Sequence, residues 1–201
     1  MLETKTGKFT EEEYFELDEA APQGVRLEYL EGVIYLNGHV FEPSIGWDAA
    51  LDLAGAAPEH SQIKNNVEVA ISIQLRDRDC IVFSSVQRTE VATKSGYVYP
   101  DVVVSCDPEY DRVTLKNPEL MVEILSPSTA KHDLTRKGEA YISRESAREF
   151  WLIYLKEIRV VQNIRTDDGW SSIHYTDLEH SVRSDHFNLD IPMREVYRKV
   201  F

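Results

Sequence analysis

Cysteine is scarce in this chain. Cys80 and Cys106 are the two present, and they show no CxxC spacing. That excludes a zinc site built on paired cysteines, and nothing in it argues for a disulfide framework. Long apolar runs are absent too. No stretch approaches the length of a membrane span, and the start, Met1-Leu2-Glu3-Thr4-Lys5, lacks the apolar core of a signal peptide. The expected location is therefore cytoplasmic, with no membrane association. Basic residues are outnumbered, 22 Lys and Arg against 35 Asp and Glu, for a net charge of −13. This counts against a large nonspecific nucleic-acid surface, because phosphate binding is driven by Lys and Arg. It leaves room for a small basic patch or a metal-bridged phosphate contact. The plain reading of the acid excess is solubility.

What is there suits one globular domain spanning 1–201. The length allows a sizeable core, and 42% hydrophobic with 28% charged residues is ordinary for a folded protein. Thr10 and Glu13 form a capping box for a helix over 10–20, which Pro22-Gln23-Gly24 ends. Residues 25–36 alternate like strands, with Glu31-Gly32 as a tight turn or a bulge, and Asn37-Gly38 signals a further turn. Within 43–57 a loop leads to a short helix over 47–53. Pro58 opens a helix over 58–75, with Ile63, Val67, Ala70 and Ile71 at helical spacing. Strands are expected over 80–92, 97–105, 120–125, 149–155, 158–164, 170–175 and 182–191. Residues 107–118 read as a polar connection. A helix spans 130–145, and a short one closes the chain over 192–200. The resulting class is α/β (α+β mixed sheet), a central mixed sheet flanked by helices.

Two of these strands break a local rule. Val102-Val103-Val104 follows Asp101, and Leu120-Met121-Val122-Glu123-Ile124-Leu125 carries an acid inside an apolar run. A carboxylate among Val, Ile and Leu costs several kcal/mol to desolvate unless something pairs with it. Two of them on neighbouring strands repel unless a cation sits between. Two such acids can hold one hard divalent ion, and the Ile124 carbonyl is placed to add a ligand. A bound ion of that kind lowers the pKa of water and neutralises charge building on a phosphodiester, while a nearby lysine orients the water. Lys137 is that lysine. It lies i+4 from Asp133 on the expected helix, where a simple ion pair is the competing explanation. Glu28 is either a solvent-face glutamate or a further carboxylate of the site. His60 is either an exposed or capping residue or a member of the site.

These residues carry a resemblance. Pro100-Asp101, Glu123-Ile124-Leu125-Ser126-Pro127-Ser128-Thr129, Asp133 with Lys137, Tyr141 and Glu149-Phe150-Trp151-Leu152-Ile153 are similar to the Uma-type endonuclease family, within the PD-(D/E)XK restriction-endonuclease-like superfamily. Leu27-Glu28-Tyr29-Leu30-Glu31-Gly32 resembles its glutamate-containing strand, and His60-Ser61-Gln62-Ile63 its helix-opening histidine. The resemblance implies Asp101, Glu123 and Lys137 as the catalytic set, with Asp101, Glu123 and the Ile124 carbonyl on Mg²⁺ or Mn²⁺. The superfamily's usual lysine would fall at Leu125, and Lys137 on the following helix takes its place. Glu28, His60, Ser126 and Asp133 are the accessory residues it implies.

The expected function is metal-dependent hydrolysis of nucleic acid, DNA foremost, by a homodimer, since cutting both strands needs two sites. Phe150, Trp151, Tyr197 and Phe201 are interface candidates that core packing explains equally well. The alternative is a nuclease-fold binding or assembly protein without hydrolytic activity. A plainer one makes Asp101 and Glu123 structural, each satisfied by backbone or arginine.

Overall fold

The computed structural model describes residues 7–48, 57–91, 96–107, 113–126 and 133–201. Helix α1 is Glu11–Ala20. Its capping box closes as its sequence requires: Thr10 Oγ1 accepts from the Glu13 amide at 3.3 Å, and the Glu13 carboxylate accepts from the Thr10 amide at 2.7 Å. Strands β1 (Glu28–Leu30) and β2 (Val33–Leu36) form a hairpin. Its two turn residues, Glu31 and Gly32, both have positive φ, so this is a tight turn and not a bulge. Glycine is needed at the second position, because a Cβ there would lie 2.7 Å from the Cβ of Lys8. Asn37 and Gly38 repeat the device before β3 (His39–Val40). Most of the expected 47–53 helix lies outside the described residues.

Helix α2 (Pro58–Leu75) buries Ile63, Val67, Ile71 and Leu75, one face at helical spacing. Beyond it, two stretches expected as single strands are each divided. Residues 80–92 become β4 (Ile81–Ser84) and β5 (Arg88–Glu90), separated by a turn in which the Val86 and Gln87 amides both donate to the Ser84 carbonyl. Residues 97–105 become β6 (Gly96–Val98) and β7 (Val102–Ser105). The break falls at Tyr99-Pro100-Asp101, where proline has no amide to continue a ladder. Each half then joins a different sheet. The expected polar connection also contains a two-residue strand, β8 (Thr114–Leu115), parallel to β5.

Next come β9 (Leu120–Leu125), helix α3 (Gly138–Ser143), β10 (Glu149–Tyr154), β11 (Val160–Thr166) and β12 (Gly169–Tyr175). The single strand expected over 182–191 is a hairpin of β13 (Ser181–Ser184) and β14 (Leu189–Pro192), and α4 (Met193–Val196) follows. The helix expected over 130–145 is shorter within the described residues. Asp133–Lys137 form a π-helical turn that runs into α3.

The mixed α/β (α+β) class holds, with two large sheets in place of one. The outer sheet runs β3-β2-β1-β6-β5-β8, and the inner one β12-β11-β10-β9-β7-β4. In the inner sheet β9 and β10 are parallel and the other pairs antiparallel. One face of the inner sheet packs Val102, Val122, Ile124 and Trp151 against α2, α4 and the β13–β14 hairpin. The other packs Val103, Met121, Leu125 and Leu152 against the outer sheet and Tyr141 of α3. On the far side of the outer sheet, α1 seals a third cluster around Tyr14, Leu27 and Phe41. Each fully buried Val, Leu or Ile contributes about 1.5–3 kcal/mol. That stabilisation offsets the cost of holding charged groups in the same layer.

Two expectations need correction. Cys80 and Cys106 are joined in a disulfide. The register pairs Ile81 with Ser105, so one step further sets the two cysteines opposite each other, although 26 residues separate them in the chain. Phe150, Trp151 and Tyr197 are core residues and not surface ones; of the four interface candidates, Phe201 is exposed. No helix among the described residues is long and apolar enough to cross a membrane.

Candidate active site

Polar groups converge where β7 begins and β9 ends. The register pairs Val102 with Val122, so continuing it by one residue sets Asp101 opposite Glu123. Glu123 belongs by alternation to the face that looks toward the outer sheet and α3, and Asp101, just before β7, lies at the strand edge. Glu123 is 3% exposed inside the apolar run of β9.

Lys137 answers the desolvation problem. Its Nζ lies 2.9 Å from Glu123 Oε1 and 2.9 Å from Glu28 Oε1, with the lysine side chain 5% exposed. The ammonium thus bridges a strand of each sheet. Glu28 is consequently a buried member of this cluster and not a solvent-face residue. Its Oε1 also accepts from the Tyr99 amide at 3.2 Å. Tyr99 is itself fixed by its hydroxyl, which donates to Asp18 Oδ2 at 2.8 Å, and Asp18 pairs with Arg88 at 3.2 Å. Burial and the Asp18 charge push the Tyr99 phenol up, so it remains a donor.

The Tyr141 hydroxyl donates to Glu123 Oε1 at 2.5 Å. Burial, first, and the Glu123 charge, second, raise the Tyr141 phenol well above its ordinary value, which keeps the proton on this donor. Tyr141 marks part of the resemblance, but no role was assigned to it from sequence. The signal was available, because it stands i+4 from Lys137, one turn further along the same helical face. The π-helical turn that ends at Lys137 lies at the entry to that face, a feature frequent at functional sites.

Asp101 is held from two directions. Its Oδ2 accepts the Ile124 amide at 2.8 Å and lies 3.2 Å from His60 Nε2. His60 reaches it from the first turn of α2, on the opposite side of the inner sheet from α3. Strand geometry turns a residue's N–H and C=O to the same edge, so the Ile124 carbonyl also faces β7. Ser126, partly buried, stands just past β9. The side chain of Asp133 and residues 127–129 lie outside the described part. Leu125, where the superfamily lysine would fall, is 4% exposed in the apolar cluster and takes no part.

The donor set suits a hard divalent ion. Two glutamate oxygens already converge on one cationic atom, and Asp101 is the next residue in register. With His60 neutral, Asp101, Glu123, Glu28 and Lys137 carry a formal charge of −3 + 1 = −2. Among the described residues, no three His, Cys, Asp or Glu side chains form one metal-holding cluster. Lys137 lies between Glu28 and Glu123, and His60 lies against Asp101.

Comparison with known proteins places the chain in a family. The model of the family Uma2, described as "Putative restriction endonuclease", matches residues 49–194. The chain belongs to the Uma2 family. Asp101, Glu123 and Lys137 all lie within the Uma2 match, whereas Glu28 lies before it. Two relatives come from Synechocystis sp. "Uncharacterized protein slr1290" is 28% identical over 171 residues, covering 84% of this chain and 80% of its own. "Uncharacterized protein sll1609" is 27% identical over 157 residues, covering 76% and 78%. The chain is thus restriction-endonuclease-like in family and fold.

Proposed function

We propose that this protein is a divalent-metal-dependent endonuclease that hydrolyses DNA phosphodiester bonds. The observation that carries the reading is the buried Lys137 ammonium clasped between Glu28 and Glu123, beside Asp101. Asp101, Glu123 and the Ile124 carbonyl would hold Mg²⁺ or Mn²⁺, with Glu28 and Ser126 next to them. The ion would supply Lewis-acid stabilisation of the phosphoryl oxygens and a more acidic water.

The chain's own residues do the rest. A scissile phosphate held at Glu123 would meet Lys137. There its Nζ orients the attacking water and stabilises charge on the phosphoryl group. The water oxygen bonds to phosphorus, the ester oxygen leaves with a proton, and the water's own proton passes to solvent or a neighbouring base. Tyr141 holds Glu123 in place, and the Tyr99 amide does the same for Glu28. His60 fixes Asp101 from the opposite side. Two copies of the chain, each with one such site, would cut both strands of a duplex.

The second reading is a nuclease-fold protein that binds without cutting. The acid excess, 35 Asp and Glu against 22 Lys and Arg, favours it. Supercoiled-plasmid nicking separates the two. We expect nicking with Mg²⁺ or Mn²⁺, none with a chelator, and none from Glu123→Gln. A wild-type protein that binds plasmid and leaves it intact under all these conditions would overturn the hydrolytic reading.

A further inference from the structure

Lys64 lies one turn beyond His60 on α2, so the two side chains share a face. His60 contacts Asp101. The Lys64 ammonium donates to Ser85 Oγ at 3.0 Å. Ser84 pairs with Val102, so Ser85 is the next residue in register, opposite Asp101 on the other side of β7 from Glu123. The order across the end of the inner sheet is therefore Lys64 with Ser85, then His60 with Asp101, then Glu123 with Lys137.

Lys64 meets a neutral acceptor, as Arg26, Arg78 and Arg165 do, and differs from them in lying beside the site acids. Arg88, Arg136, Lys137, Arg144 and Arg183 all pair with carboxylates. Among the described residues, Lys64 meets a neutral hydroxyl instead. A half-buried ammonium facing a hydroxyl gains little Coulomb energy where it sits, so its position is better explained by an anion that comes to it. Ser85 can rotate its hydroxyl to donate to the same anion. The acids stand on the site side, and the cation stands on the flank.

We infer that Lys64 and Ser85 form a subsite for a backbone phosphate of the nucleic-acid strand, next to the phosphate attacked at Asp101 and Glu123. The inference rests on the nuclease reading and gives its substrate a direction: one strand runs across the sheet end from Lys137 toward α2. The ammonium supplies charge and the hydroxyl supplies a directed hydrogen bond. Neither contacts a base, so the subsite positions the strand without selecting sequence.

The test is binding of a short fluorescent DNA duplex in Ca²⁺, measured by anisotropy across a range of salt. Wild type is compared with Lys64→Ala, Lys64→Arg and Ser85→Ala. One lost phosphate contact lowers the salt slope by about 0.9. The wild-type-to-Ala affinity ratio should then narrow by about 3.5-fold between roughly 50 and 200 mM salt. Lys64→Arg should restore the slope and Ser85→Ala should weaken binding with the slope kept. In plasmid nicking, Lys64→Ala should raise KM with kcat held. Wild-type binding with an unchanged slope and KM in Lys64→Ala would overturn the subsite and leave the nuclease reading standing. A wild-type protein that neither binds nor cuts DNA would overturn both.

Discussion

Glu149 and Glu123 are buried glutamates on neighbouring parallel strands, and their surroundings differ in kind. Glu149 is 1% exposed and is held on both oxygens by neutral donors. Trp151 Nε1 and Gln162 Nε2 donate to Oε2, each at 2.8 Å, and the Ser184 hydroxyl donates to Oε1. Glu123 is held by a lysine and a tyrosine, and both of those contacts fall on Oε1. The two side chains also leave the sheet on opposite faces. Glu149 shares its parity with Trp151 toward α2, and Glu123 shares its parity with Met121 toward the outer sheet. A buried acid ringed by neutral donors ties a hairpin to a sheet. A buried acid bridged by a cation to another acid is suited to exchange partners, because a second cation can enter the same charge balance.

The sharpest way to break this contrast is to remove the bridge. Lys137→Met should lower plasmid nicking by about 10³-fold, the scale on which a transition-state donor acts. Glu28 and Glu123 would also be left facing each other without their cation, so denaturant unfolding should report about 3–5 kcal/mol of lost stability. Equal nicking by this variant would place the two glutamates in one class.

The converse change belongs to the other acid. Glu149→Leu strands the donors of Trp151, Gln162 and Ser184, and stability should fall by about 3–9 kcal/mol at roughly 1–3 kcal/mol per orphaned group. Nicking per folded molecule should stay at the wild-type level. Loss of activity in protein shown to be folded would mean that Glu149 communicates with the site.

Tyr141→Phe sharpens the comparison from within the site. It deletes a hydrogen bond to a charged group, worth about 1.5–3 kcal/mol. Activity should drop by about tenfold, with weaker apparent metal affinity. An unchanged metal titration would show that Glu123 is held well enough by Lys137 alone.

The smallest expected effect concerns alkaline pH. Tyr141, Tyr99, Tyr97 and Tyr197 all have phenols raised above their ordinary value, with burial as the first cause in each. A folded pKa above the unfolded one favours folding fully below about pH 10, the unfolded tyrosine value. That contribution is lost as pH rises from there toward the folded values. Unfolding free energy should be flat in this term up to about pH 9 and decline beyond about pH 10. Tyr141→Phe should flatten the decline.

Much of this was legible along the chain because it is local. The α1 capping box, the Glu31-Gly32 turn and the apolar face of α2 depend on spacings of a few residues. Asp101 and Glu123 stood out because an acid in an apolar strand conflicts with its immediate neighbours. The less legible features depend on pairing at a distance. The disulfide follows from the β4–β7 register, which nothing near Cys80 or Cys106 reveals. The division of 97–105 between two sheets falls at Pro100, which has no amide to continue a ladder. Glu28 stayed ambiguous because strand alternation says which residues share a face and not what covers that face.

The sequence by itself determined the elements and the acids in conflict with them, since propensity, capping and desolvation act on neighbours. The tertiary structure alone decided the partners: Glu28 beside Lys137, His60 beside Asp101, and Lys64 beside Ser85. Those choices rest on strand register and on the stacking of two sheets, which bring together charges that lie far apart in the chain.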